Sequence, residues 1–223
     1  VAGVQRVVVG VLHSDQPARE VWRRVAAVVP AAGESRRMGR NKLLLPWGRM
    51  TVLEKTLTNV FASGVSSIVV IVGHEAEQSI PLAEKYGQVV INKDYTKGML
   101  SSVQASIRAL PDDIEAALVV LGDQPLVTPA IIDQLLAAYA ANSCGLVAPT
   151  YHGQRGNPVI IDRRHFAELL ALPPEAAPRA LLQRHSDDLL LVEVESDAIL
   201  HDLDRPEDYE RLRLGKESTE HED

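Results

Sequence analysis

A chain of 223 residues suits one domain, and a hydrophobic content of 46% is enough for a substantial core. The formal net charge of -7 argues against nucleic acid or an anionic membrane as the main partner, because either favours a broad basic face. Cys144 is the single cysteine, which excludes an internal disulfide and a paired-cysteine zinc site, and a reducing, cytoplasmic compartment is expected. No apolar stretch approaches the roughly 20 residues of a membrane span.

Residues 1–24 precede the regular pattern. Their apolar run at 7–12 lacks the length and small-residue cleavage site of a secretory signal, and the segment reads as a poorly ordered arm or an added edge strand. From Val25 the chain alternates β-branched runs with helical periodicity at βαβ intervals, so residues 25–213 are expected to form one α/β domain with a mostly parallel sheet. Residues 25–29 are apolar on both faces, as a central parallel strand is. The run then breaks at Pro30 into Ala31, Ala32 and Gly33 and passes through Arg36, Arg37, Arg40 and Lys42, four cations in seven residues of an acidic protein. Small residues let backbone N–H groups approach phosphate oxygens, and the cations can neutralise them, so a polyphosphate is the favoured reading. A solvated loop with incidental basic residues is the plainer one. Spacing rejects a Walker A loop, since Gly33 is followed by Gly39 and Lys42 comes three residues later. It also rejects the dinucleotide fingerprint, whose later glycines fall on Ser35 and Met38.

Residues 51–63 read as a helix capped by Thr51, with Leu53, Leu57, Val60 and Phe61 on one face. A strand at 68–72 closes on Gly73 and His74, and a weaker helix at 75–86 should break at Pro81. A short strand at 89–91 delivers Asn92 to its carboxyl end. Gly98 permits a tight turn, and Ser101 and Ser102 stand where the next helix begins, either as a plain cap or with hydroxyls turned to a ligand. The strand at 116–121 runs into Gly122 and Asp123. A carboxylate at the carboxyl end of a buried strand lies on the rim where open α/β sheets bind ligands, and beside a triphosphate it suits Mg2+. Capping of the following turn is the alternative.

Residues 128–142 form the clearest amphipathic helix, with Pro129 in its first turn and Ile131, Ile132, Leu135, Leu136 and Tyr139 inward. A strand at 145–150, two short helices at 163–172 and 178–185 and a strand at 189–194 follow. Asp202 and Asp204 lie two apart, so an extended backbone projects both to one side, and Asp202 is favoured over Asp204 as a second metal ligand to Asp123. The plainer reading of Asp204 is the cap of a helix starting at Pro206, and both roles can hold together. Residues 214–223 read as a disordered charged tail. The seven histidines show no ligand spacing.

Five motifs carry a resemblance. Residues 31–46, AAGESRRMGRNKLLLP, match the first signature of the molybdenum cofactor cytidylyltransferase family almost letter for letter. GMLSS at 98–102, LGDQP at 121–125, YHGQRGNPV at 151–159 and the DLDRPEDY ending at 202–209 follow in the family's order. Asn157 stands where many relatives have His. The chain therefore resembles that family, within the MobA-like nucleotidyltransferases. The resemblance implies a three-layer α/β/α, Rossmann-like nucleotidyltransferase fold and Mg2+-dependent transfer of CMP from CTP to the phosphate of a molybdopterin-type acceptor, releasing pyrophosphate. It implies catalytic roles for Arg37, Lys42 and Asp123, with metal held by Asp123 and Asp202. Ala31, Ala32, Gly33, Lys42, Gly73, Asn92, Gly98, Ser101 and Ser102 would hold the nucleotide, and Arg155, Gly156 and Asn157 the acceptor. A molybdoenzyme of the xanthine dehydrogenase type is the implied recipient. The AAG turn is similar to that of the CTP-using branch; a guanylyltransferase, a cytidylyltransferase for another metabolite and a non-catalytic cofactor chaperone remain as alternatives.

Overall fold

The computed structural model describes the backbone of residues 5–9 and 19–219, and the side chains of 23–213. Strands β1 (Gln5–Val9) and β2 (Arg19–Arg23) pair antiparallel with each other, a ribbon separate from the main sheet rather than an added edge strand. Next come β3 (Val25–Ala31), the small hairpin β4 (Pro46–Trp47) and β5 (Met50–Thr51), α1 (Val52–Phe61) and β6 (Ser67–Val72). Helix α2 (Ala76–Ala83), β7 (Gln88–Ile91), α3 (Met99–Ala109), β8 (Ala116–Val119) and α4 (Pro129–Ala141) complete the alternating half. The remainder comprises β9 (Leu146–Tyr151), β10 (Gln154–Arg155), β11 (Val159–Asp162), α5 (Phe166–Ala171), α6 (Arg179–Arg184), β12 (Leu189–Glu193) and α7 (Pro206–Thr219).

The main sheet runs β7-β6-β3-β8-β11-β9, with β12 on the far side of β9 and β10 paired to its end. Neighbours β7, β6, β3 and β8 are parallel. β11 is antiparallel to both β8 and β9, and the short β10 is antiparallel to β9, so the sheet is mostly parallel with two reversed strands. A parallel sheet must be covered on both faces, and β3 shows how the sequence meets that demand. Val25, Ala27, Val29 and Ala31 face a core closed by Leu53, Leu57 and Val60 of α1 and by the inward stripe of α4. Ala26 and Val28 face a second core closed by Leu100, Val103 and Ile107 of α3 and by residues of α5 and α6. The result is the three-layer α/β/α arrangement. Among the described residues, no helix is long and apolar enough to cross a membrane.

Local chemistry sets the helix starts. Thr51 and Glu54 form a reciprocal capping box on α1, and Thr128 caps α4 ahead of Pro129. Two expectations fail. Pro81 sits inside α2 without interrupting it, and the helix ends only at Ala83; a proline forfeits one backbone hydrogen bond, which an eight-residue helix packed on β6 and β7 tolerates. Helix α7 continues to Thr219, so residues 214–219 are helical rather than a loose tail, while 220–223 lie outside the described residues. Low hydrophobicity suggested disorder, but Glu, Lys, Arg and Leu are also good helix formers on a solvated helix.

At the end of β11, Tyr139 Oη donates to Asp162 Oδ2 at 2.6 Å, and the backbone N–H of Arg164 donates to Oδ1 at 2.9 Å. Burial pushes the Asp162 carboxyl up, but these hydrogen bonds and the Arg164 guanidinium outweigh it and hold it below the usual carboxylate range. A depressed native pKa contributes stability that is present above the unfolded value, about pH 4, and is lost as pH falls through the native one. Asp162→Asn should therefore lower unfolding stability by roughly 1–3 kcal/mol at neutral pH, and the gap to wild type should close near pH 3, as read from urea midpoints at the two pH values.

Candidate active site

The carboxyl end of β3 opens into a turn that the backbone itself holds. Ser35 and Gly39 adopt left-handed conformations (φ 51° and 70°), and the N–H groups of Met38 and Gly39 donate to the Ser35 carbonyl at 2.9 and 3.2 Å. Asn41 caps the short 3-10 turn Lys42–Leu44 and donates through Nδ2 to Glu75 Oε2 at 3.0 Å, tying the loop to the start of α2. Met38, Leu45 and Trp47 are buried with Val52, Leu203 and Tyr209 in a small third cluster. Tyr209 Oη donates to the Pro46 carbonyl at 2.5 Å, so the cationic loop and the C-terminal segment are clamped together. Burying the apolar residues leaves Arg36, Arg37 and Arg40 exposed, while Lys42 turns inward.

This loop forms one wall of a cleft of about 390 Å³. Ala31, Ala32, Gly33, Arg37 and Lys42 line that side, Gly98 and Ser102 the opposite one, and Asp123 the floor. A Cβ built on Gly33 would meet nothing within 4 Å, so the turn faces open space. Gly73, Asn92 and Ser101, expected at the nucleotide, are not on the lining. They hold the wall from behind. A Cβ on Gly73 would stand 2.8 Å from Cβ of Ala32 and of Tyr95, so its role is close packing. Buried Asn92 donates to Ser101 Oγ at 2.9 Å and to Ser102 Oγ at 3.0 Å, which fixes the start of α3. The sequence reading missed Tyr95, Thr96 and Met99, which line the cleft; nothing in their spacing marked them.

Three carboxylates meet here: Asp123 and Asp204 line the cleft, and Asp202, expected as a metal ligand, stands beside them off the lining. Asp123 follows β8, Asp202 and Asp204 come from the segment before α7, and one oxygen of each lies within 4.8 Å of the others. Lys42 Nζ contacts Asp123 Oδ2 and donates to Asp204 Oδ1 at 3.0 Å; Arg37 Nη1 donates to Asp204 Oδ2 at 3.0 Å. Burial opposes the charged form of Lys42, yet the two carboxylates outweigh it and raise its pKa above the ordinary value. Burial also pushes the Asp204 carboxyl up, and Lys42 and Arg37 more than reverse this, whereas Asp202 is raised by burial and by the charges of Asp123 and Asp204. Asp204 is thus the missed residue: it meets Lys42 and Arg37 instead of acting as the expected cap. The alternation Asp-Leu-Asp put both acids on one side, and only the position of Lys42 could separate their roles. An all-oxygen cluster suits a hard dication such as Mg2+ or Mn2+.

Arg155, Gly156 and Asn157 line a second cleft of about 320 Å³. Met99 and Leu121 line both clefts, so the two adjoin. The second has apolar walls, including Val103, Ile161 and Leu182, with Arg155 and Arg179 as its cations. Gly156 is there for close approach, because a Cβ would stand 2.2 Å from the Ile199 carbonyl oxygen.

Residues 27–189 match the MobA-like NTP transferase domain, and this match covers the glycine turn, the α3 start and Asp123. The chain belongs to that family. Its fold is the Rossmann-like nucleotidyltransferase fold expected from the motifs, and the chain is a nucleotidyltransferase. It is 28% identical over 190 residues to the molybdenum cofactor cytidylyltransferase of Escherichia coli (strain K12), covering 83% of this chain and 93% of that one. It is also 28% identical over 198 residues to nicotine blue oxidoreductase of Paenarthrobacter nicotinovorans, covering 84% and 96%. The crystal structure of Rv0371c from Mycobacterium tuberculosis H37Rv superposes with a TM-score of 0.78 at 26% identity, over 86% of this chain and 98% of that one. A manganese complex of Rv0371c has also been solved, with a TM-score of 0.70 to this chain.

Within this MobA-like domain, Gly73→Ala should force Ala32 and Tyr95 apart. The expected result is a loss of about 1–3 kcal/mol in unfolding stability together with weaker nucleotide binding, seen by denaturation and by calorimetric titration of nucleoside triphosphate.

Proposed function

We propose that the chain transfers CMP from CTP to the phosphate of a molybdopterin-type acceptor, with Mg2+, and releases pyrophosphate. The observation that carries this reading is the junction of two clefts: one lined by a glycine turn, Lys42, Asp123 and Asp204, with Asp202 beside both acids, the other mostly apolar with two arginines in its lining. Each volume lies in the usual range for small-molecule sites, about 300–1,000 Å³. The relation to the Escherichia coli cytidylyltransferase points to CTP and to the molybdenum cofactor. The AAG turn supports cytidine over guanosine by its likeness to the CTP-using branch.

An acceptor phosphate oxygen attacks the α-phosphorus of CTP; the new P–O bond forms as the bond to the bridging α–β oxygen breaks, and pyrophosphate leaves with that electron pair. No protein nucleophile is needed, so the residues align the reactants and offset charge. Gly33 presents backbone close to the phosphates. Lys42 and Arg37 leave their carboxylate partners for phosphate oxygens and neutralise charge growing on the α-phosphoryl group and the leaving group. Arg155 meets the acceptor phosphate, while Asn157 and the apolar walls position its ring system. Asp123 with Asp202 and Asp204 would hold Mg2+, which when bound neutralises phosphate oxygens. The product would pass to a molybdoenzyme of the xanthine dehydrogenase type. A purely carrying role is disfavoured, because a binder does not need a half-buried lysine bridging two carboxylates.

Pyrophosphate release measured with each of the four nucleoside triphosphates, with and without loaded molybdopterin, tests the assignment. Release should require CTP, acceptor and Mg2+ together, and Asp123→Ala should lower turnover by about two to three orders of magnitude. Normal turnover by that variant would overturn the role of Asp123, and preference for GTP would replace the cytidylyl reading with a guanylyl one.

A further inference from the structure

A second group of side chains converges outside the lining of both clefts and takes no part in the chemistry above. His165 ends the 3-10 turn Arg163–His165 after β11, Glu168 lies one turn on in α5, and His185 follows α6. One ring nitrogen of each histidine and one oxygen of Glu168 lie within 4.8 Å of one another, and the ring centroids are 4.6 Å apart. The strand register places this group at the opposite end of the sheet. Asp162, at the end of β11, pairs with Ala116 at the amino end of β8, whereas Asp123 lies beyond the carboxyl end of β8.

We propose that His165, Glu168 and His185 form a second metal site, one that takes a transition-metal dication of the zinc class. Two imidazoles and one carboxylate are a zinc donor set, chemically distinct from the all-oxygen cluster at the active site. Two of the three ligands are held by a further group. Asp188 Oδ2 stands 2.7 Å from Nε2 of His165, the carboxylate–imidazole contact that orients metal-binding histidines, and Asp188 Oδ1 accepts from the Gly145 N–H at 2.8 Å. Arg184 Nη1 donates to Glu168 Oε1 at 3.2 Å, leaving Oε2 beside His185 Nε2 at 2.5 Å. The fit around His165 is close: a Cβ on Gly145 would stand 2.6 Å from its Nε2. His165 is buried, with 8% of its side chain exposed, while Glu168 and His185 are 34% and 32% exposed, so an ion can enter from solvent and keep water as a fourth ligand. Helix α6 also supplies Arg179 and Leu182 to the second cleft, so an ion at its carboxyl end anchors one wall of that cleft to α5.

Calorimetric titration of the untagged full chain with zinc sulfate, and visible absorption on adding Co2+, test the site without nucleotide or acceptor. The expected result is one equivalent of zinc and the visible bands of nitrogen- and oxygen-ligated cobalt, both retained by Asp123→Asn. His185→Ala and the isosteric Glu168→Gln should each weaken zinc binding by about tenfold or more and abolish the cobalt bands. A melting curve of each variant without metal reads its folding, and Glu168→Gln carries the test if His185→Ala is unfolded. No uptake of either ion, undiminished uptake by Glu168→Gln, or loss of uptake on Asp123→Asn alone would each overturn the proposal.

Discussion

The site depends on keeping three carboxylates together in a partly buried place. Asp123 arrives from β8, and Asp202 and Asp204 from a segment about 80 positions later in the chain. Like charges about 4 Å apart repel by roughly 1 kcal/mol in water and about 4 kcal/mol near a protein surface. Lys42 offsets this by touching Asp123 and Asp204 at once, and Arg37 adds a second contact to Asp204. Both cations come from the loop that also presents Gly33 to the cleft. The same charges that close the floor are therefore the ones available to an incoming polyphosphate.

That arrangement needs a firm backing. Trp47 and Tyr209 pack at 6.3 Å between ring centroids and bind the loop to the C-terminal segment, so Lys42 and Asp204 are brought together by apolar burial as well as by charge. On the other side, Asn59 donates to the carbonyls of Pro125 and Val127 at 3.0 and 2.8 Å and holds the turn after Asp123 onto α1. Leaving either carbonyl without its partner in the interior would cost about 1–3 kcal/mol. The charged groups are exposed on one side only.

Much of this was legible in the sequence because it rests on local signals. Residues 25–29 are apolar without alternation, which is what a strand covered on both faces must be, and Thr51 and Pro129 mark helix starts by chemistry that acts within one turn. Gly33, Lys42 and Asp123 were singled out by type and place, and the fold brings all three to one cleft. What escaped depends on contacts distant in the chain. The family resemblance put Gly73 and Asn92 at the nucleotide, yet their neighbours are Ala32, Tyr95 and the serines of α3. Asp202 and Asp204 could be ranked only by knowing where the Lys42 ammonium points. The cluster at His165 joins residues 17 and 20 positions apart across a proline-rich connection, too irregular a spacing to read as ligands.

The direction of β11 has a wider consequence. Strands β3, β6 and β8 reach the rim with their last residues, whereas β11 runs against them and leaves the rim with its first. The hairpin before it, carrying Arg155 and Asn157, is in this way a detachable fitting on the second cleft. Lengthening or shortening it reshapes that cleft while the strands that carry the glycine turn and Asp123 stay in register. Such a division lets one scaffold exchange the molecule being activated without rebuilding the machinery that activates it.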